Sequence, residues 1–173
     1  MSTDYIVSSL PTLAFNAPAP LSWEKLVETV GDATFLSHLT KDFDDLETQL
    51  RNAIAEARGG ERFKRPADGC SLYWKNRVLA CFQEKDVAKR DELLDRVWWD
   101  AAGELTPPSD PLGKGALATY AIRLKIALKR SKISTDAGNA SFDRLTAETK
   151  HHPSTSSTSS TSSTSSTSST SSL

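Results

Sequence analysis

Apolar positions recur at helical spacing along most of this chain, and the pattern is most developed between Ala116 and Ile133. Two apolar stripes run along that one predicted helix, roughly opposite each other. The first stripe holds Leu117, Tyr120, Ala121, Leu124 and Leu128, and the second holds Ile122, Ile126 and Ile133. Because a surface helix needs only one apolar stripe, this helix either lies at the centre of a helical bundle or is shared with a partner protein.

Capping residues and chain breakers delimit several shorter helices before it. Ser22 and Asp32 are N-cap candidates, and Gly31 and the pair Gly59-Gly60 are helix stops. Apolar spacing predicts helices over about residues 23–31, 33–39, 42–58, 72–82 and 87–101, and a short last helix that carries Phe142 and Leu145. The segment from Asp4 to Phe15 reads as extended and is the one candidate for a strand.

Together these elements predict a mainly α fold, a single-domain helical bundle of about six or seven helices over residues 1–150. Residues 151–173 are set apart by composition, since only Ser and Thr occur from Ser154 to Ser172. Such a segment has no apolar side chains to offset the entropy of ordering. We therefore predict a disordered, low-complexity C-terminal tail.

Charge and apolar content narrow the classes of function. The formal net charge is -1 and the pI is about 6.3, so the chain has no general attraction to nucleic acid. No apolar run approaches the roughly 20 residues that span a bilayer, and no basic region precedes Ile6-Val7 as in a signal peptide. Cys70 and Cys81 match no metal or redox spacing. We expect a cytoplasmic protein.

The residues that carry enzyme chemistry are sparse. His38 stands alone, and His151-His152 precede the Ser/Thr tail, so no Ser-His-Asp or zinc-ligand pattern can be assembled. Gly113-Lys114-Gly115 lacks the spacing of a phosphate-binding loop and indicates instead a flexible segment before a helix. We expect no catalytic residues, no cofactor, no metal and no small-molecule substrate.

Contacts with other proteins are the remaining candidates for function. Trp98 and Trp99 are adjacent and point about 100° apart on a helix, so either both pack in the core or one anchors a partner. The basic residues from Arg123 to Lys132 either match the negative helix C-terminus or dock on an acidic surface. The candidate contact residues are Trp99, Ile122, Arg123, Lys125, Ile126, Lys129 and Arg130.

Several blocks in order resemble a small bacterial family of unknown function that is encoded in V-type ATP synthase gene clusters. The opening block is similar to that family's Tyr-x-Val-Ala-Ser-Leu-Pro signature, except that Ser8 stands where the family more often has Ala. The resembling blocks are Tyr5–Pro11, Leu21-Ser22, Lys89–Glu92 with Trp98, Tyr120–Arg130, and Gly138 with Phe142 and Leu145.

The resemblance implies a role in a rotary ATPase. Members of this family are plausible equivalents of the all-helical coupler that joins the central stalk of V/A-type enzymes to the membrane ring. We therefore expect a non-catalytic subunit or accessory factor of a bacterial V-type ATPase in proton or other ion transport. Its partners would be stalk and ring subunits, and it would lie at the inner face of the membrane only through them. A free-standing soluble helical adaptor or regulator is the alternative.

Overall fold

Helices are the only regular elements in residues 2–133, the part of the chain that the computed structural model describes. This confirms the mainly α fold that the apolar spacing predicts. The α-helices are α1 (Thr3–Ser9), α2 (Trp23–Val30), α3 (Ala33–Lys41), α4 (Asp44–Ala57), α5 (Leu72–Cys81), α6 (Val87–Ala101) and α7 (Lys114–Ser131). Two 3-10 turns, Glu61–Phe63 and Ala102–Leu105, follow α4 and α6.

The predicted helix boundaries are confirmed where capping residues set them. The Ser22 hydroxyl caps α2, and the Asp32 carboxylate accepts hydrogen bonds from two backbone amides in the first turn of α3. Gly31 and Gly59 adopt φ values of 79° and 70°, a left-handed conformation that glycine reaches at little cost. The two capping residues therefore begin α2 and α3, and the two glycines follow the ends of α2 and α4, as the sequence indicates.

The N-terminal segment differs from its prediction, because Thr3–Ser9 is helical rather than extended. Helical geometry brings Ile6 into the apolar cluster beside α7, where its side chain is buried. The Ser9 hydroxyl donates a hydrogen bond back to the carbonyl oxygen of Ile6. Extended backbone begins only at Leu10, where the following Pro11 disfavours the α conformation. The prediction that this segment contains a strand was therefore wrong.

Helix α7 lies at the centre of the bundle, and residues of both apolar stripes pack inside the chain. Ile133, predicted as part of the second stripe, lies beyond the end of α7 and is exposed. Leu117, Ala121 and Leu124 pack in a cluster with residues of α1, α2 and α3. Ile122, on the other stripe, is buried in a second cluster with residues of α4, α5 and α6, and Ile126 packs against that cluster. The first of the two alternatives for this helix is therefore the one that the structure shows.

The two adjacent tryptophans pack in different parts of the core. Trp99 is buried and meets Phe15 edge to face, with ring centroids 5.6 Å apart. Trp98 is partly buried and packs against Phe43, with centroids 6.2 Å apart. The prediction that both rings lie in the core region is confirmed.

The Gly113-Lys114-Gly115 segment has a packing role that the sequence did not indicate. Helix α7 already begins at Lys114, so Gly115 lies in its first turn. A Cβ atom at Gly115 would overlap the carbonyl oxygen of Leu105. The prediction of a flexible loop was therefore wrong, because this glycine allows the start of α7 to lie directly against the turn that follows α6.

The contacts among residues 2–133 join them in one compact unit. The predicted domain boundary near residue 150, the last helix with Phe142 and Leu145, and the Ser/Thr tail lie outside the described residues. Across residues 2–133, no helix combines the length and apolar character that crossing a bilayer requires.

Candidate functional site

An open groove of about 910 Å³ runs between α4, α6 and α7. Helices α4 and α7 each contact α6 more than they contact each other. They therefore form the two walls of the groove, with α6 at its floor. We call this feature the α4–α6–α7 groove.

The floor of the groove is apolar. Phe43, Leu94 and Ile122 are buried at its base, and Trp98 and Ile126 are partly buried beside them. These side chains belong to the cluster that joins α4, α5 and α6 to α7. The groove is thus a place where the edge of the apolar core faces the surface.

Three ion pairs lie along its rim. The Glu47 carboxylate on α4 accepts hydrogen bonds from the Arg51 guanidinium, which also lies over the Trp98 ring at 5.5 Å from its centroid. On the other side, Lys129 of α7 lies 2.7 Å from the carboxylate of Asp95 on α6 and 3.8 Å from that of Asp91. These five charges have partners within the chain.

Four other charged residues on the rim form no ion pair within residues 2–133. They are Asp44, Arg58, Arg65 and Lys125. The Arg58 guanidinium lies over the Phe82 ring, 5.9 Å from its centroid, and the Lys125 ammonium lies 4.7 Å from the Trp23 centroid. Cations therefore outnumber anions among the rim charges that have no partner in this part of the chain.

A side-chain amide holds Arg65 beside the groove. The Asn52 side chain donates to the carbonyl oxygen of Arg65 and accepts from its backbone amide, each at 2.8 Å. This pair of bonds folds the segment after the turn Glu61–Phe63 back along α4. The Lys64 ammonium also forms an ion pair with the Glu56 carboxylate, which helps to hold this segment against α4. This contact raises the pKa of Lys64 and lowers that of Glu56.

The structure divides the seven predicted contact residues into two groups. Ile122, Lys125, Ile126 and Lys129 all line the α4–α6–α7 groove. The remaining residues, Trp99, Arg123 and Arg130, do not line it.

Trp99 instead packs against Phe15, and Arg123 and Arg130 lie over these two rings. The Arg123 Nε atom donates to the carbonyl oxygen of Trp99 at 3.0 Å, which caps the C-terminal turn of α6. Burial of this guanidinium lowers its pKa. The Arg130 guanidinium lies 4.2 Å from the Phe15 centroid. The predicted contact set is therefore not one continuous surface.

The α4 side of the groove was missed by the sequence prediction. Arg58 and Arg65 lie on either side of a Gly-Gly turn, and only the contacts of Asn52 bring the second arginine back to the wall. A helical pattern followed by glycines indicates the turn, but it does not indicate its direction.

Among residues 2–133, no three His, Cys, Asp or Glu side chains are grouped as metal ligands would be. The groove offers an apolar strip bordered by charges, which is the usual make-up of a surface that binds a helix.

We found no match to this chain among protein-family models, curated proteins or solved structures.

Proposed function

We propose that this chain is a non-catalytic subunit or accessory factor of a bacterial V-type rotary ATPase, in which it couples the central stalk to the membrane ring. Contacts between the separate sequence blocks that resemble the ATPase-associated family support this function. The Tyr120 hydroxyl donates a 3.0 Å hydrogen bond to the carbonyl oxygen of Pro11, across 109 positions of sequence. The opening block is thereby joined to the late helix.

A second set of contacts joins the late helix to the central block. Lys129 lies 3.8 Å from Asp91, and Arg130 lies 3.4 Å from Glu92. The proposed family assignment requires that these blocks belong to one folded unit, and these contacts join three of them.

A helical framework with an open binding groove is suited to a coupling subunit. Such a subunit needs a rigid body and surfaces for its neighbours, and it does not need to bind nucleotide itself. The α4–α6–α7 groove supplies one such surface, with Lys125 as its unpaired cation on α7. The protein would reach the inner face of the membrane through stalk and ring subunits.

Affinity purification from gently solubilised membranes of the native cells tests this proposal. We expect the catalytic subunits of the ATPase and its central-stalk subunit to be recovered in comparable amounts, as identified by mass spectrometry. Lys125→Glu should reduce their recovery, whereas Lys85→Glu, an equal charge change on an exposed residue outside the groove, should not.

Lys129 is a poorer test position than Lys125. Its ammonium compensates the buried carboxylate of Asp95, so reversing its charge would also disturb the fold. A preparation without ATPase subunits, from cells shown to express them, would contradict the proposal. Soluble partners in that preparation would instead favour the free-standing adaptor.

A further inference from the structure

The α4–α6–α7 groove has the form of a gap between two helices of a bundle. Its two walls are helices, its floor is a third helix, and it is open to solvent. Its volume of about 910 Å³ is large enough for the side chains on one face of a helix. A fourth helix placed between α4 and α7 would pack on α6 as neighbouring helices do in a bundle.

The apolar strip at the floor supplies anchors for such a helix. Trp98 and Ile126 are only partly covered by the rest of the chain, and Phe63 at the edge of the groove is 66% exposed. Large aromatic side chains at the centre of a contact contribute much of the binding energy of protein interfaces. An amphipathic helix would cover all three of these side chains with its apolar stripe.

The unpaired rim charges favour a partner that carries negative charge beside its apolar stripe. Arg58 and Arg65 border the groove on the α4 side, and Lys125 borders it on the α7 side. Asp44 is the single unpaired anion on this rim within the described residues. A partner helix with carboxylates on both sides of its apolar stripe would meet a cation on each wall.

We propose that the α4–α6–α7 groove binds an acidic amphipathic helix of another protein. This occupant is defined by the apolar floor and by the excess of unpaired cations, and it does not require that the partner belong to a rotary ATPase. Failure of the ATPase assignment would therefore leave this proposal standing, and the reverse also holds.

Photo-crosslinking of the full-length protein in native cells tests the proposal. Benzoylphenylalanine is placed at Asp44 on one wall and, in a second variant, at Lys125 on the other, since both side chains are exposed. A third variant carries it at Lys25 on α2, away from the groove. The Lys125 variant also loses the cation of the α7 wall, so its crosslinking yield should be lower, but the captured peptide should be the same. The crosslinked peptides are then sequenced by mass spectrometry.

We expect both wall positions to capture one and the same peptide of another protein, and Lys25 not to capture it. That peptide should show apolar residues at helical spacing with Asp or Glu on both sides. Adding Arg65→Glu should lower its crosslinking yield about fivefold, as expected for loss of a charge pair and gain of a repulsion. Adding Lys85→Glu should leave the yield unchanged.

Three results would overturn the proposal. These are crosslinks from the two walls to different peptides, crosslinks confined to this chain or a second copy of it, and capture of a peptide without acidic flanks. An absence of any crosslinked polypeptide at both walls would overturn it as well. Circular dichroism of each variant shows whether the helical fold is retained, so that a lost crosslink can be assigned to the groove.

Discussion

The ammonium group of Lys129 lies 2.7 Å from the carboxylate of Asp95, and this ion pair joins α7 to α6. The Asp95 side chain is only 8% exposed, whereas that of Lys129 is 53% exposed. Arg130 contributes a second, longer contact of 3.9 Å to the same carboxylate. Lys129 therefore compensates a buried charge, which gives it a structural role separate from any contact with a partner.

Removing this cation should destabilise the fold. We expect Lys129→Met to lower the free energy of unfolding by about 1–3 kcal/mol, because the buried Asp95 carboxylate loses its closest partner. Lys125→Met, one turn earlier on the same helix, should change it by less than about 0.5 kcal/mol. Urea denaturation followed by circular dichroism measures both values.

A double-mutant cycle provides the control. In an Asp95→Asn background, Lys129→Met should cost less than in the wild type, because no buried charge remains to be compensated. Equal destabilisation by Lys129→Met and Lys125→Met would show that the ion pair contributes nothing specific.

Gly115→Ala should be among the more damaging small substitutions in this chain. The added methyl group would overlap the carbonyl oxygen of Leu105, and neither backbone segment can move without shifting α7 or the preceding turn. We expect a loss of about 1–3 kcal/mol in the free energy of unfolding, typical of overpacking. Thermal and urea unfolding provide the measurement.

Gly69→Ala is the matched control for that substitution. A Cβ atom there would lie 3.4 Å from the side-chain nitrogen of Gln49, an ordinary contact with a side chain that can shift. We expect a change of less than about 0.5 kcal/mol. If the two glycine substitutions proved equally mild, the close approach of α7 to Leu105 would be incorrect.

Features of the fold that depend on neighbouring residues were predictable from the sequence. Ser22, Asp32 and Gly31 act within one helical turn, so their roles follow from spacing alone. The helical state of the N-terminal segment was not predictable in that way. It goes with the burial of Ile6 beside α7, a contact between residues far apart in the chain.

The same distinction between local patterns and long-range contacts applies to the candidate site. Ile126 and Lys125 could be proposed from the sequence, because the two stripes of α7 are a local pattern. Arg65 could not be placed at the same groove, since its position depends on the bonds from Asn52, 13 residues earlier. Patterns within a helix are visible in the sequence, whereas the path of a loop depends on which side chain elsewhere in the chain forms hydrogen bonds to its backbone.

The indole of Trp74 joins α5 to the turn after α6. Its Nε1 atom donates a 2.7 Å hydrogen bond to the Glu104 carboxylate, and the ring is buried. Trp74→Phe should reduce the free energy of unfolding by about 1–3 kcal/mol through loss of this bond and of ring volume. Glu104→Gln retains an acceptor oxygen and should cost less than about 1 kcal/mol.

A cycle of substitutions at those two positions separates the hydrogen bond from the packing of the ring. If the bond matters, Glu104→Ala should cost more in the wild type than in the Trp74→Phe background, by about 0.5–1.5 kcal/mol. Identical costs in both backgrounds, measured by urea unfolding, would assign the whole effect of Trp74→Phe to packing.

The two cysteines should differ in reactivity. Cys70 is exposed, whereas Cys81 is buried, and burial raises the pKa of the Cys81 thiol above its ordinary value of 9.0. In the native protein, dithionitrobenzoate should modify Cys70 at once and Cys81 only as the chain unfolds. In the Cys70→Ser variant, only one thiol should react, and it should react slowly. Fast labelling of that variant would contradict the burial of Cys81.

The same shift predicts a loss of stability at alkaline pH. The folded state keeps the Cys81 proton at a pH where the unfolded chain has begun to lose it, so the unfolded state binds fewer protons. This contribution is fully present below about pH 9 and is lost as the pH rises through the raised pKa. Cys81→Ala should therefore show a smaller fall in the free energy of unfolding between about pH 8 and 10 than the wild type does. Parallel pH profiles for the two proteins, measured by urea unfolding, would rule out this linkage.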